Sequence, residues 1–356
     1  MNIILNSYCN LKCNYCFADE YMDENVKTPD KSMDYDFFLK ELLPRVKNAS
    51  LINFMGGEPT LHPNFTDIMS STLESMHPFT YLGVFTNGLM PDKALDLLLD
   101  TVGRGGSIER QIQFSVLLNW QTMENTTEKN HQRCREVAKA ILSKNGHSLM
   151  FSLNLYSTKQ DLYKQCMEID EIYQELGLPP GQNYKIRVSP AFPIVGQEEQ
   201  NITLPIRDYP KMGRIMMDLL KDFPQMGFRF DCSFPPCFLD EIQEEEYSLV
   251  ERFIYHGSQS VPDMREWKDN GVYFGCADDS PMDIDPKGDC FNCFPFHNFK
   301  MGNVKEYEQI NDLAIKKMHT KFLHHVFEDT EVKEPCKSCP HYMVRCSSGC
   351  FAYNFT

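Results

Sequence analysis

No apolar run in this sequence approaches the roughly 20 residues that cross a bilayer, which excludes a conventional membrane-spanning helix. The opening MNIILNSYCN lacks the cationic stretch and the length of a signal peptide, so a soluble, cytoplasmic chain is expected. Basic charge is also scarce: 35 Lys and Arg stand against 50 Asp and Glu, a net charge of -15. Neutralising phosphates takes clustered cations, so nucleic acid is not an expected partner. Internal repeats and low-complexity tracts are missing as well. What remains is 356 residues, 42% hydrophobic and 24% charged, an ordinary globular composition with room for one large domain and a smaller one.

Cysteine is the exception, with 14. In a reducing compartment these do not read as a disulfide scaffold. Nor are they evenly spread. Cys9, Cys13 and Cys16 open the chain; Cys232 and Cys237 form a pair; Cys276, Cys290 and Cys293 follow; Cys336, Cys339, Cys346 and Cys350 close it. Cys134 and Cys166 stand alone in helix-like stretches and read as small buried hydrophobes. The clusters call for metal.

Up to about residue 190, short apolar runs alternate with amphipathic segments. The runs are NIILN, LINFM (51–55), YLGVF (81–85), IQFSVLL (112–118), LMFSLNL (149–155) and YKIRVS (184–189). Apolar on both faces, they suit parallel strands covered by helices. Six such strands with intervening helices predict an α/β fold, a partial (β/α)6 TIM-like barrel over residues 1–190, with ligands at the C-terminal ends of the strands. Residues 191–275 read as a bridging region with one helix and the Cys232/Cys237 pair. Residues 276–356 have too little periodic apolar sequence for a core, and metal crosslinks would supply the missing stability.

The first triplet is C-x3-C-x2-C, placed just after the first strand. A [4Fe–4S] cube is normally held by four thiolates. Three would leave one iron without a protein ligand; a zinc site completed from afar and plain buried thiols are the alternatives. After the second strand comes MGGEPTLHP, with Gly56, Gly57 and Glu58: glycines permit close backbone approach, and a carboxylate suits an ammonium. FTNG (85–88) follows the third strand, where Thr86 and Asn87 are either a turn or a ligand contact. Ser115, Asn154 and Arg187 are polar residues inside apolar strands, which is costly unless each finds a partner.

With Tyr15 before the third cysteine and GGE at the second strand, the chain resembles the radical S-adenosylmethionine (SAM) superfamily. The resemblance implies that Cys9, Cys13 and Cys16 hold a [4Fe–4S] cluster whose open iron chelates SAM. It further implies that one electron from a flavodoxin- or ferredoxin-type donor cleaves SAM to a 5′-deoxyadenosyl radical. Gly56, Gly57 and Glu58 would receive the amino group of SAM, and Ser115, Asn154 and Arg187 its ribose and carboxylate.

The C-terminal segment resembles the SPASM auxiliary-cluster extension of peptide-modifying members. Cys276 is followed by eleven residues, Gly288, four residues and Cys293, then by MGNV (301–304) and by Cys336-x2-Cys339-x6-Cys346-x3-Cys350. The resemblance implies two auxiliary [4Fe–4S] clusters, one on Cys276, Cys293 and Cys350, the other on Cys336, Cys339 and Cys346. Each then lacks a fourth ligand, since no later cysteine precedes Thr356. One of Cys232 and Cys237 is expected to complete the first, with Cys290 spare; a zinc knuckle is the competing reading of the last four.

Related anaerobic sulfatase maturases carry an Asp directly after the cysteine matching Cys293. Here stands Phe294, which removes the best support for that activity. His297 and Asp289 read either as proton acceptors or as solvated loop residues. The first strand is expected to begin at Met1, so a leader-peptide substrate would need a separate recognition protein or a docking surface on the barrel. The expected activity is radical modification of a peptide or protein side chain, in the making of a ribosomal peptide: a thioether or carbon–carbon crosslink, or epimerisation. A maturase, a small-molecule dehydrogenase and a non-catalytic iron–sulfur carrier are the alternatives.

Overall fold

A computed structural model describes residues 1–16, 18, 31–77, 80–104, 113–145, 148–178, 184–193, 195, 201–230, 236–246, 249, 254–255, 274–275, 282–329, 331–342 and 346–353. The chain forms two compact units. The first takes Met1–Cys13, Ala18–Met150 and Ser280–His325; the second takes Asn14–Phe17, Phe151–Asp279 and Val326–Thr356.

In the first unit, β1 (Asn2–Asn6), β2 (Leu51–Gly56), β3 (Tyr81–Thr86) and β4 (Gln113–Asn119) pair in parallel, in that order. Their odd–even pattern explains the arrangement. Ile3, Ile52, Phe54, Leu82, Val84, Val116 and Leu118 are all but inaccessible to solvent, as strands covered by helices require. The covering segments are α1 (35–46), α2 (Phe65–Ser75), α3 (Asp92–Arg104) and α4 (Glu128–Lys144). In α4 the buried residues Cys134, Val137, Ala138, Ile141 and Leu142 recur at helical spacing, and Thr127 Oγ1 caps the start by accepting from Asn130 N at 3.3 Å. Segment α1 is not regular. Pro44 has no N–H to donate, and one turn back the helix widens to a π turn in which Leu43 N–H reaches Phe38 O.

The other edge of β1 pairs in parallel with β10 (Asp283–Ile284), which continues antiparallel into β11 (Asp289–Phe291) and β12 (Gly302–Asn303). Asn2 Nδ2 donates to Asp283 Oδ1 at 2.6 Å, and Asn53 Nδ2 donates to Asn2 Oδ1 at 2.9 Å. The segment expected to begin an auxiliary domain at 276 is therefore shared: 280–325 belongs with the first unit and 326–356 with the second.

The second unit carries most of β5 (Leu149–Leu155), then β6 (Tyr184–Pro190), β7 (Met226–Phe230) and β8 (Ile254–Tyr255), paired in parallel. Helices α5 (Leu162–Glu175) and α6 (Tyr209–Asp222) accompany them. Strand β7 was not expected; its MGFRF has true period two, with Met226, Phe228 and Phe230 buried and Gly227 and Arg229 on the other face. A short separate pair joins β9 (Phe274–Gly275) to β13 (Cys346–Gly349).

After α6, Glu246 accepts from Arg214 through both oxygens and from Lys221. These cations hold its carboxyl far below the usual range, Arg214 foremost. A depressed carboxylate contributes stability above its unfolded value, near 4.5, and loses it as pH falls through the folded value. Wild type should therefore lose more stability than Glu246→Gln between pH 6 and pH 3, measured by urea unfolding at each pH; parallel losses would contradict this. No described helix is long and apolar enough to cross a membrane.

Candidate cluster and cofactor site

The first strand ends at Asn6, and the cysteine loop leaves it there. The GGE turn at the end of β2 lies directly against that loop: Gly57 N donates to Asn6 O at 2.9 Å and Glu58 N donates to Tyr8 O at 2.7 Å. The approach leaves no room for side chains. A Cβ on Gly57 would sit 2.1 Å from Tyr8 O, and one on Gly56 would sit 2.3 Å from Asn6 O at a φ of 152°.

Glu58 is fully buried, and its carboxylate is occupied. Oε1 accepts from Thr60 N at 3.3 Å, Thr60 Oγ1 at 2.5 Å and Thr86 Oγ1 at 2.8 Å; Oε2 accepts from Asn87 N at 2.7 Å. Burial pushes its pKa up and these donors oppose the rise. The carboxylate expected to face an amino group thus ties the GGE turn to the turn after β3. A buried acceptor remains nearby: Asn6 Oδ1 has no hydrogen-bond partner, while Asn6 Nδ2 donates to Glu58 O at 3.2 Å.

Asn87 is the hub that sequence reasoning left between turn and contact. Its Nδ2 donates to Asn10 Oδ1 at 2.8 Å and lies 3.6 Å from Cys9 Sγ. Its O accepts from Cys134 Sγ at 3.0 Å, and its Oδ1 accepts from Leu89 N at 2.8 Å. The FTNG turn so braces the cysteine loop. Cys9 Sγ also accepts from Leu11 N at 3.4 Å; burial pushes its pKa up, and Glu58 adds to that. Cys13 Sγ lies 3.6 Å from Gln121 Oε1, a partner no motif announced. Cys134 is buried, its thiol pushed up to about 12 by burial, and Cys166 is buried too, as expected of structural thiols.

Cys16 stands in the second unit. Beside it, Tyr15 stacks on Tyr156 at 5.0 Å, its hydroxyl accepts from Asn154 Nδ2 at 3.4 Å, and its carbonyl accepts from Asn201 Nδ2 at 3.3 Å. Asn154, next to last in β5, thereby anchors the residue before Cys16. Arg187 lies in mid-β6 and donates from Nη1 to Ser152 Oγ at 2.8 Å. Ser115, in the first unit, is third in β4, opposite Gly83, and bonds the Tyr81 hydroxyl. It lies toward the start of its strand, away from the C-terminal end where the cysteine loop leaves β1.

The remaining thiols divide between the units. In the first, Asn292 Nδ2 lies 3.7 Å from Cys293 Sγ and is fixed through Asn292 Oδ1 and His319 Nδ1 at 2.8 Å. Cys290 is wholly buried, its thiol pushed up to about 12 by burial. Asp289 is held by Lys300 and by Asn303 Nδ2, and His297 Nδ1 lies 3.1 Å from Phe294 O. In the second unit, burial raises the Cys237 thiol, and the nearby Cys346, Asp240, Cys336 and Cys339 raise it further. Cys336 is pushed up to about 12 by burial and by Cys346 and Cys339. The register of β13 sets Gly349 against Gly275, the residues just before Cys350 and Cys276. Cys232 and Cys276 lie outside the described residues. None of the other cysteines is in a disulfide. Among the described residues, no three His, Cys, Asp or Glu close round a single ion. A zinc tetrahedron would set its sulfurs about 3.8 Å apart, from Zn–S bonds near 2.3 Å.

Comparison with known proteins agrees with this geometry. Residues 3–144 match the model of the radical SAM superfamily. That stretch is similar to a radical SAM domain, a family that is enzymatic and implies SAM and a [4Fe–4S] cluster. A tungsten-containing aldehyde ferredoxin oxidoreductase cofactor-modifying protein of Pyrococcus furiosus is 31% identical over 185 residues, 49% of this chain and 48% of that one. An S-adenosylmethionine-dependent nucleotide dehydratase of a Thermoplasmatales archaeon is 29% identical over 133 residues, 32% and 45% of the two chains. The chain spans about half the length of these curated relatives. Among solved structures, Streptococcus suis SuiB bound to S-adenosylmethionine superposes with a TM-score of 0.58 at 16% identity. That likeness covers 99% of this chain and 72% of SuiB. SuiB bound to its precursor peptide SuiA gives a TM-score of 0.59 at 15% identity, covering 99% and 71%. The fold is mixed α/β with parallel strands, of the radical SAM type.

Proposed function

We propose that this radical SAM enzyme modifies a peptide or protein side chain, using Cys9, Cys13 and Cys16 as ligands of the SAM-binding cluster. The residues fit that group. Three half-buried thiols lie in one short loop, the glycine turn packs against that loop's backbone where any Cβ would collide, and Asn6 Oδ1 keeps an unused acceptor for an ammonium. When bound, cluster and SAM supply a carbon radical that removes a hydrogen atom. The protein's own part is to hold the loop rigid through Glu58 and Asn87 and to fix Cys16 through Tyr15 and Asn154. Gly56, Gly57, Asn154 and Arg187 remain proposed SAM contacts, Ser115 being set toward the other end of its strand, and a ferredoxin- or flavodoxin-type donor the proposed partner. The peptide reading is carried by one observation: the likeness to the peptide-bound SuiB fold runs over 99% of this chain. Anaerobic incubation with SAM, a reductant and a candidate precursor peptide should give a product two hydrogens lighter, or one with deuterium gained from D2O. Unchanged peptide alongside turnover of a small anionic substrate would favour the second reading, a cofactor-modifying activity like that named for the P. furiosus relative.

We further propose auxiliary [4Fe–4S] clusters, the second held by Cys336, Cys339, Cys346 and Cys237. This moves Cys237 from the cluster of Cys276, Cys293 and Cys350, because its thiol neighbours are Cys346, Cys336 and Cys339. Cys237→Ala should lower reconstituted iron by up to about four atoms per chain, one cube, and leave the SAM-induced change in the first cluster's EPR signal intact. Unchanged iron and unchanged auxiliary signals would refute the assignment.

A further inference from the structure

The second unit holds a cationic face of which only Arg187 is a proposed SAM contact, leaving Lys185 and Arg229 without a part in that site. Strands β6 and β7 pair Arg187 with Arg229 and Lys185 with Gly227. Partners across a parallel ladder, and residues two apart along a strand, share a face. Lys185, Arg187 and Arg229 therefore stand together, while the opposite face is the buried row Tyr184, Ile186, Val188, Met226, Phe228 and Phe230.

Two guanidinium groups on strands about 4.8 Å apart repel one another. In a chain of net charge -15, such a grouping would be expected to recruit carboxylates. Arg229 has none. Its Nε is buried without a hydrogen-bond partner, and among the described residues it forms no ion pair or other hydrogen bond. Arg187 gives one N–H to a neutral hydroxyl, that of Ser152. The ammonium of Lys185 is held below its usual pKa by burial and then by the charge of Arg229, so the two cations feel each other directly. A buried guanidinium nitrogen with no acceptor is costly, and a forked cation beside a second one matches the planar, two-oxygen geometry of carboxylate or phosphate.

The depth of the face separates it from the cluster end. Asn154, which anchors the Tyr15 hydroxyl, pairs with Ser189. Arg187 and Arg229 lie two residues earlier, about 7 Å toward the start of the strands. We infer that Arg229, with Lys185 alongside it, binds an anionic group of the substrate, a carboxylate or a phosphate, leaving Arg187 to its proposed SAM contact. The inference takes this strand face as the substrate's side and thus rests on the enzymatic reading, but it needs no SAM cleavage to be tested.

The test is calorimetric titration of the anaerobically reconstituted full chain, saturated with SAM, with malonate and separately with inorganic pyrophosphate, at constant ionic strength. At least one probe should bind wild type, the tighter one distinguishing carboxylate from phosphate. Arg229→Gln should weaken that probe about tenfold or more, with Arg229→Lys intermediate and SAM affinity within about twofold of wild type. Thermal unfolding identifies any variant that fails to fold, in which case the lysine variant carries the comparison. No binding of either probe to wild type, equal binding by Arg229→Gln, or loss of SAM affinity in place of anion affinity would each overturn the inference. None of these results touches the radical chemistry, which is read separately as 5′-deoxyadenosine.

Discussion

A Cys9→Ala chain is expected to reconstitute without the SAM-binding cluster and to cleave SAM at least ~10³-fold more slowly, a loss of ~4 kcal/mol in transition-state stabilisation. With two thiolates left in the loop, two irons of the cube would lack protein ligands. Cys9 is firmly placed: Leu11 N and Asn87 Nδ2 lie against its sulfur, and burial together with Glu58 disfavours its free thiolate. Metal must therefore offset the cost of ionising it, so the apo thiol should be protonated at neutral pH. Iron analysis and 5′-deoxyadenosine production check the two halves of the expectation. Normal iron with normal cleavage would remove Cys9 from the site. Cys134→Ala is the matched control, since that thiol is buried against Asn87 O and should keep its iron.

The second large effect belongs to Glu58, and it falls first on stability. Glu58→Ala strips the acceptor from Thr60 N, Thr60 Oγ1, Thr86 Oγ1 and Asn87 N inside a site with no access to water. Each buried donor left unsatisfied costs roughly 1–3 kcal/mol, so even at the low end the four donors give a loss of about 4 kcal/mol, to which the cavity adds. Denaturant unfolding of the apo protein should register it as a lower midpoint at unchanged slope. Glu58→Gln keeps one acceptor oxygen and should lose less. Had the carboxylate faced SAM instead, the alanine variant would keep wild-type apo stability and lose only SAM affinity. That result would contradict the hydrogen-bond arrangement around Glu58.

The strands β1 to β6 were legible because each is a short, largely apolar run set between segments of helical period. What escaped had weaker signals. Strand β7 follows a helix, in a region where the periodic pattern appeared to stop, and the two-residue strands β8, β9 and β10 are too short to have a period at all. The cysteine triplet and GGE could be read because their spacing is local. Asn87 could not be ranked from sequence, since an Asn-Gly turn looks the same whether or not its amide reaches a thiol 78 positions away. The partners of Glu58 lie partly 28 and 29 positions along the chain, so the sequence alone could not show that its carboxylate ties two turns together. Cys237 shows the same limit: paired in sequence with Cys232, it is grouped in space with thiols about a hundred residues downstream.

The proposed chemistry depends on one iron of the first cluster being left open to SAM. EPR of the dithionite-reduced, reconstituted protein, recorded with and without SAM and followed by chromatography for 5′-deoxyadenosine, tests this directly. The account predicts a [4Fe–4S]+ signal that shifts when SAM is added and disappears in Cys13→Ala, with 5′-deoxyadenosine accumulating only in the wild type. A signal indifferent to SAM, with no 5′-deoxyadenosine formed, would contradict it.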